Sequence, residues 1–244
     1  MKNVSIIGFG NFGQFFARKL VTTFEVSAWD CRDFSSEARK IGVKWATLEQ
    51  AADGDLIVLA VPLQSMEPLL VKLADLINLK ALVMDVCSVK QEPIRLMQKY
   101  LPQAELLCTH PMFGPQSAKD GWQGHRLVVC PVTTPSAKSE FVLRFFRNQG
   151  LRLFEMTDEQ HDREMARVQA LTHFVARALK ECEVKSSPFG TFAYDHLCKI
   201  VELLGGDSWE LFETIELGNP FAQEIRREFI ENLQKLERRL KKHA

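Results

Sequence analysis

The sequence lacks the cysteine spacing that builds a metal site or a disulfide framework. Its six cysteines, at 31, 87, 108, 130, 182 and 198, are scattered without paired intervals, so no metal is expected and a reducing compartment, the cytoplasm, is. It also lacks net charge. Thirty-one Lys and Arg cancel 31 Asp and Glu, and no global field draws the chain to nucleic acid or to a membrane surface. No apolar run approaches the about 18 residues of a membrane span. The N-terminal residues start on a strand pattern rather than on signal-peptide architecture. Internal repeats and low-complexity stretches are missing too. The basic run Arg238-Arg239-Leu240-Lys241-Lys242-His243 reads as a solvated helix end that suits the helix dipole. What remains is an ordinary globular composition, 46% hydrophobic and 25% charged, long enough for one large domain or a medium and a small one.

What the sequence does have begins at once. Asn3 to Gly8 reads as a buried strand, and Gly8-Phe9-Gly10-Asn11-Phe12-Gly13 follows, leading into a helical stretch from Gln14 to Val21. This is G-x-G-x-x-G with a strand before it and a helix after it, the context that makes it a dinucleotide fingerprint. Gly8 allows the tight turn, Gly10 lets a pyrophosphate approach the backbone, and Gly13 lets helix and strand pack closely. The helix N-terminus supplies free N–H groups to the phosphates. The second strand, Glu25 to Trp29, ends in Asp30. A carboxylate there accepts hydrogen bonds from the ribose hydroxyls and repels a 2′-phosphate, which favours NAD. Arg32 and Arg39 keep NADP open, since either pairs with a 2′-phosphate.

Strands and helices then alternate. Asp55 to Ala60, Ala81 to Val86, Glu105 to Cys108, Arg126 to Cys130 and Leu151 to Met156 read as strands, and Gln64 to Leu76, Gln91 to Tyr100 and Ser136 to Gln149 as helices. The rhythm predicts an α/β fold: a Rossmann-type, doubly wound, mainly parallel sheet over residues 1–157. After Thr157 the strands stop. Met165, Val168, Leu171, Val175 and Leu179 recur at helical spacing along Asp158 to Glu183. Pro188 opens a helical stretch to Leu204, Asp207 or Ser208 caps the next, and a final helix carries Phe221, Ile225, Phe229 and Leu233. Residues 158–244 are too few for a rich core of their own. They are expected to form an all-helical domain that binds substrate and pairs two copies into a homodimer.

One stretch organises the chain: Cys108-Thr109-His110-Pro111-Met112-Phe113-Gly114-Pro115. It sets an imidazole at the end of a short strand, where two prolines are expected to stop both helix and ladder. Ligands of open α/β sheets bind at the carboxyl ends of strands. His110 is either such a ligand-facing group or a satisfied structural histidine. Asp85-Val86-Cys87-Ser88-Val89-Lys90 lies at another strand end, and Gln160-His161-Asp162 and Gln169-Ala170-Leu171-Thr172-His173-Phe174 lie on the long helix.

With these motifs in this order, the sequence resembles the prephenate/arogenate dehydrogenases of tyrosine biosynthesis over essentially its whole length. It looks most like the plant-type arogenate dehydrogenase branch. The resemblance implies an NAD(P)-dependent oxidative decarboxylation of a cyclohexadienol. It makes His110 the acceptor of the C4 hydroxyl proton and sets Ser88 beside the nicotinamide, orienting the hydroxyl. The expected cofactor set is Gly8, Phe9, Gly10, Asn11, Phe12, Gly13, Asp30, Arg32, Val61 and Ser88. The expected substrate set is Ser88, His110, Asp120, Gln169, His173 and Arg177, the last three lining one helix face at spacings of four. Lys90 is either a substrate or cofactor contact or a solvated helix-start lysine. Cys87 reads as a small buried hydrophobe without chemistry. Asp120 either reads an arogenate ammonium or is an ordinary turn aspartate before Gly121. The family's arginine ahead of its Asp-Pro helix start is missing here, which leaves Arg177, Lys199, Arg226 and Arg227 as partners for the side-chain carboxylate. A 3-hydroxyacid dehydrogenase would carry Gly-x-x-x-Lys on the long helix, and residues 165–179 contain neither glycine nor lysine. A non-catalytic NAD-sensing module is the other alternative.

Overall fold

Among the described residues, eight strands share a single sheet. The computed structural model describes residues 1–133 and 136–242, so His243 of the terminal basic run lies outside the described residues. The chain divides into two compact units, Met1–His161 and Asp162–Ala244.

The first unit opens with β1 (Asn3–Ile7), α1 (Asn11–Leu20), β2 (Glu25–Trp29), α2 (Ser35–Ile41), β3 (Lys44–Trp45), α3 (Leu48–Ala51) and β4 (Leu56–Leu59). It continues through α4 (Leu63–Leu73), β5 (Leu82–Asp85), α5 (Gln91–Tyr100), β6 (Glu105–Pro111) and β7 (Arg126–Pro131). It closes with α6 (Ala137–Asn148), β8 (Arg152–Glu155) and the start of α7 (Asp158–Met165). The sheet order is β3-β2-β1-β4-β5-β6-β7-β8. The first six strands are parallel, β7 runs antiparallel to β6, and β8 is parallel to β7. Strands β4 and β5 are wholly buried, as continuous apolar strands covered on both faces should be. Phe16, Leu20, Val142 and Phe146 belong to one core cluster, and Met66, Leu70, Ile94 and Met97 to the other.

Two readings of the first unit change. The short α2, β3 and α3 were not legible, because seven, two and four residues are too few to show a period. Strand β6 also runs on through Thr109 and His110, past the end expected at Cys108, and takes in Pro111 as its last residue. Pro111 pairs with Leu127 of β7, and the next N–H, that of Met112, donates to Arg126 O at 2.9 Å. Successive residues of a strand aim their N–H groups to opposite sides. The Pro111 nitrogen therefore faces the β5 side, where pairing has already ended at Asp85↔Cys108, and its missing hydrogen costs nothing. Phe113 and Trp122 then anchor the following loop in the core: Phe15 meets Phe113 edge-on at 6.1 Å, and Phe16 stacks on Trp122 at 5.0 Å.

The second unit is helical. After α7 come a π-turn at Ala166–Ala170, α8 (Leu171–Glu181), α9 (Phe192–Leu204), α10 (Trp209–Gly218) and α11 (Ala222–Lys241). The π-turn interrupts the regular helix the periodicity implied. It widens the turn and takes Val168 off the apolar stripe, leaving it 48% exposed while Met165, Ala166, Ala170 and Ala176 are buried. Helix α9 starts at Phe192 rather than Pro188, because the Thr191 hydroxyl caps it by accepting from Tyr194 N–H. Ser208 caps α10 in the same way, from Leu211 N–H. The buried cluster of this unit is small: Ala170, Ile215 and Ala222, with Leu211 partly covered.

Candidate active site

Register places the candidate groups on one edge of the sheet. Ile7, Leu59, Asp85 and Cys108 form a row across β1, β4, β5 and β6. The Gly8 loop, Ala60-Val61, the Cys87-Ser88 turn and His110 all lie just beyond that row, at the carboxyl ends of parallel strands. From β1 to β6 is three strand spacings, about 14 Å.

The glycine loop has the shape a dinucleotide needs. Gly8 takes φ +99°, and a Cβ there would collide with the Ala60 carbonyl and the Val61 side chain; Val61 backs the loop. A Cβ at Gly13 would run into the Gly8 carbonyl. A Cβ at Gly10 would meet nothing within 4 Å, so the loop is open on the side a pyrophosphate approaches. Gly10 is also the N-cap of α1 and brings no side chain to it, and the first turn holds no acid. The first N–H groups of α1 and its positive end therefore suit an anion. The other loop residues divide. Asn11 is exposed at the helix start, whereas Phe12 stacks on Phe16 at 5.6 Å. Phe9 has a fully buried side chain, its N–H donates to Asp30 Oδ2 at 2.7 Å, and its carbonyl accepts from Gln14 Nε2 at 3.0 Å. Phe9 thus shapes the loop from inside.

Asp30 is tied to that loop. Besides Phe9 N–H it accepts from Arg32 N–H, at Oδ1 and 3.0 Å. The Arg32 guanidinium lies 4.0 Å from the same oxygen and 5.2 Å from the centre of the Phe34 ring.

Beneath His110 lies a buried ionic network. Lys90 and Asp85 have no exposed surface and form an ion pair. Lys90 Nζ also donates to Thr109 O at 2.6 Å. Thr109 N–H donates to Asp85 Oδ2 at 3.3 Å, Thr109 Oγ1 donates to Asp85 O at 2.7 Å, and Cys87 N–H donates to Asp85 Oδ1 at 3.0 Å. All three polar groups of Thr109 are held. The solvated helix-start reading of Lys90 is thereby corrected. Burial, the largest single influence, opposes its charge, but the Asp85 carboxylate together with Cys87 and Cys108 raises the ammonium above its ordinary pKa. Burial pushes the Cys87 thiol up to about 11 and Cys108 well above the usual range, so neither is a nucleophile at neutral pH. Ser88 is half-buried on the same turn.

His110 itself is buried, and its Nδ1 lies 2.9 Å from Nε2 of the buried His161. The rings meet edge to face at 5.1 Å and 72°. The sequence had marked Gln160-His161-Asp162 without giving His161 a role. Its proximity depends on the antiparallel turn of the sheet: Glu155, at the end of β8, shares a row with Val129 and Thr109, and the first turn of α7 brings His161 to His110. The first unit accordingly ends at His161, four residues past the boundary expected from the sequence.

Asp120 stands exposed on a turn before Gly121, the ordinary aspartate–glycine arrangement. In the helical unit, His173 and Arg177 converge on one residue. His173 Nδ1 is 3.4 Å from Asp207 Oδ2, and Arg177 Nη2 donates to Asp207 O at 3.0 Å while its guanidinium lies 5.3 Å from the Trp209 ring centre and 5.0 Å from that of Phe212. The carboxylate alone would favour a charged imidazole. Burial and the Arg177 charge prevail and push His173 down to about 4, so it is neutral at pH 7. Gln169 lies in the π-turn, half-buried. Arg226 is spent on Glu216, donating to its carbonyl at 2.6 Å and to Oε2 at 2.5 Å. Arg227 and Lys199 are exposed.

Known proteins share this architecture and much of the sequence. Arogenate dehydrogenase 2, chloroplastic, of Arabidopsis thaliana is 36% identical, covering 91% of this chain and 65% of that protein. Arogenate dehydrogenase 1, chloroplastic, of the same plant is 36% identical, covering 91% and 36% respectively. A probable arogenate/prephenate dehydrogenase of Methanocaldococcus jannaschii is 30% identical, covering 94% and 56%. The chain thus spans from 36% to 65% of the length of these relatives. The crystal structure of Aquifex aeolicus prephenate dehydrogenase with hydroxyphenyl propionate and NAD+ has the same fold: TM-score 0.79 at 22% identity, covering 100% of this chain and 92% of that one. Synechocystis arogenate dehydrogenase gives a TM-score of 0.68 at 18% identity, covering 98% and 93%. Residues 178–244 match a family described as TYRAAT1-like, C-terminal domain. Residues 16–155, more than half of the chain, match the family described as prephenate dehydrogenase, nucleotide-binding domain, and the chain belongs to that family.

Proposed function

We propose that this chain oxidises and decarboxylates a cyclohexadienol, prephenate or arogenate, with a nicotinamide dinucleotide, in tyrosine biosynthesis. The observation that carries the proposal is the buried His110 at the carboxyl edge of a dinucleotide-binding sheet, one residue past a Thr109 locked by Asp85 and Lys90. The dinucleotide, when bound, supplies the hydride acceptor. The open loop at Gly10 and the α1 N-terminus would hold its pyrophosphate, and Ser88 would orient the C4 hydroxyl. His110 accepts the hydroxyl proton as the ring loses its carboxylate and becomes aromatic. Aromatisation drives the reaction, so the protein's work is orientation and one proton acceptance.

The finer reading is arogenate as preferred substrate, NAD as preferred cofactor, a homodimer through the C-terminal helices, and the cytoplasm as compartment. The 36% identity to two proteins named arogenate dehydrogenase supports the first. Asp30, pinned at the loop, supports the second. Leu233, Leu236 and Leu240 of α11, 49%, 55% and 69% exposed at helical spacing, support the third. The free cysteines support a reducing compartment. In the helical unit, the neutral, half-buried His173 beside Arg177 supports a substrate role for that pair. The exposed Asp120 lends no support to its reading an ammonium.

The test follows nicotinamide absorbance with prephenate and arogenate, each with NAD and NADP. Turnover is expected with arogenate and NAD at the highest kcat/KM. His110→Asn should keep cofactor affinity and lose roughly 10²–10⁴-fold in rate. No turnover with either substrate, or a variant within about threefold of wild type, overturns the reading.

A further inference from the structure

We infer that His161 is a positioning residue: by accepting a hydrogen bond from His110 Nδ1–H, it fixes which nitrogen of His110 is basic. The inference rests on His110 as the proton acceptor. A neutral imidazole has one N–H donor and one acceptor nitrogen, and the 2.9 Å bond joins Nδ1 of His110 to Nε2 of His161. Two arrangements satisfy it. In one, His161 donates from Nε2; His110 then carries its proton on Nε2 and has no lone pair there to take another. In the other, His110 donates from Nδ1, and its Nε2 is a base. Only the second lets the hydroxyl proton transfer.

The same bond serves the product of that transfer. The substrate O–H breaks and a His110 Nε2–H forms, so His110 becomes an imidazolium while its Nδ1–H still points to a neutral acceptor. A charge-assisted hydrogen bond is about twice as strong as a neutral one, so the bond stabilises the charged ring more than the neutral one. A carboxylate does this for the histidine of a serine-protease triad. Here the buried carboxylate on the strand beside β6, Asp85, is engaged with Lys90, Thr109 N–H and Cys87 N–H. Asp85 thus holds the backbone before His110, and His161 holds the ring.

The experiment is nitrogen-15 spectroscopy of the histidine-labelled full chain at rest, joined to kinetics. Wild type should show His110 protonated at Nδ1 and unprotonated at Nε2. His161→Leu should move the proton to Nε2, the tautomer an unconstrained ring prefers. It should lower kcat on the order of 10²-fold or more, with the cofactor Kd changed less than about twofold. His161→Gln, whose side-chain oxygen can accept the same N–H, should keep the Nδ1–H form and recover most of the rate. A wild-type proton on Nε2 overturns the inference, as does a Gln variant no faster than a folded Leu variant. If the Leu variant does not fold, the wild-type spectrum and the Gln variant decide alone. A chain inactive towards both substrates, yet with His110 protonated at Nδ1, would overturn the function and leave the tautomer assignment standing.

Discussion

Replacing Lys90 by methionine, which keeps the stem and removes the charge, should be among the most damaging single changes in the first unit. Asp85 and Lys90 are both without exposed surface. Removing one partner strands the carboxylate in a buried site, with the Cys87 and Thr109 N–H donors and the Cys108 thiol left to hold its charge. Breaking such a pair from one side costs about 3–5 kcal/mol. At about 2–4 °C of Tm per kcal/mol for a unit of this size, the melting point should drop by roughly 6–20 °C. Asp85→Asn combined with Lys90→Met removes both charges and should recover about half of the loss, because a two-sided replacement is often close to neutral. The pH dependence has a defined sign. The folded pKa of Lys90 is raised above 10.5, so its contribution is complete below the unfolded value and is lost as pH climbs through the folded one. Wild-type stability should fall in that alkaline range more steeply than the double variant's. Turnover separates packing from positioning: it should stay low in the double variant, since Thr109 O still lacks its Lys90 donor. Urea unfolding followed by circular dichroism measures the first effect. A Lys90→Met protein within about 1 kcal/mol of wild type would refute the reasoning.

Three further outcomes are expected. Asp30→Asn should narrow the preference for NAD over NADP, since the amide no longer repels a 2′-phosphate; Asp30→Ser should in addition raise the Km for both, since Phe9 N–H loses its acceptor. A tenfold wild-type preference for NADP would show that Arg32 or Arg39 dominates. His173, pushed down to about 4 when folded against about 6.5 unfolded, binds its proton more readily in the unfolded chain. Stability should therefore fall as pH drops from 6.5 towards 4, by at most about 3 kcal/mol, and His173→Leu should flatten that part of the urea-midpoint curve; an unchanged slope refutes it. Light scattering should give a dimer at micromolar concentration, and Leu233→Glu with Leu236→Glu should give a folded monomer. An active wild-type monomer would remove the dimer from the reading.

What was legible in the sequence was what is local along the chain. The strand, the glycines and the helix of the fingerprint lie within the first twenty residues, and a turn at Gly8 and a close approach at Gly13 are requirements of those residues alone. The bounds of β2 and α5 were readable for the same reason. The misreadings share a different cause, pairing between distant segments. Lys90 looks like a solvated helix-start residue until β5 and β6 bring Asp85 and Thr109 to it. Pro111 looks like a terminator until β7 is found pairing with it on one side, while on the other the pairing with β5 has already ended at Cys108. The stripe through Val168 assumed 3.6 residues per turn, and the π-turn breaks that count.

His161 shows how narrow the margin is. Thr157 and Gln160 cap α7 reciprocally, with Thr157 N–H donating to Gln160 Oε1 at 3.0 Å and Gln160 N–H donating to Thr157 Oγ1 at 3.1 Å. This box fixes the residue at which the helix starts. Each step along a helix turns a side chain by about 100°, so a start one residue earlier or later would aim another residue at His110. The cap of α7 and the end of β8 together choose His161 as the partner. The cap was there to be read beside the Gln160-His161-Asp162 motif, whereas the end of β8 becomes a position in space only once the eight strands are ordered.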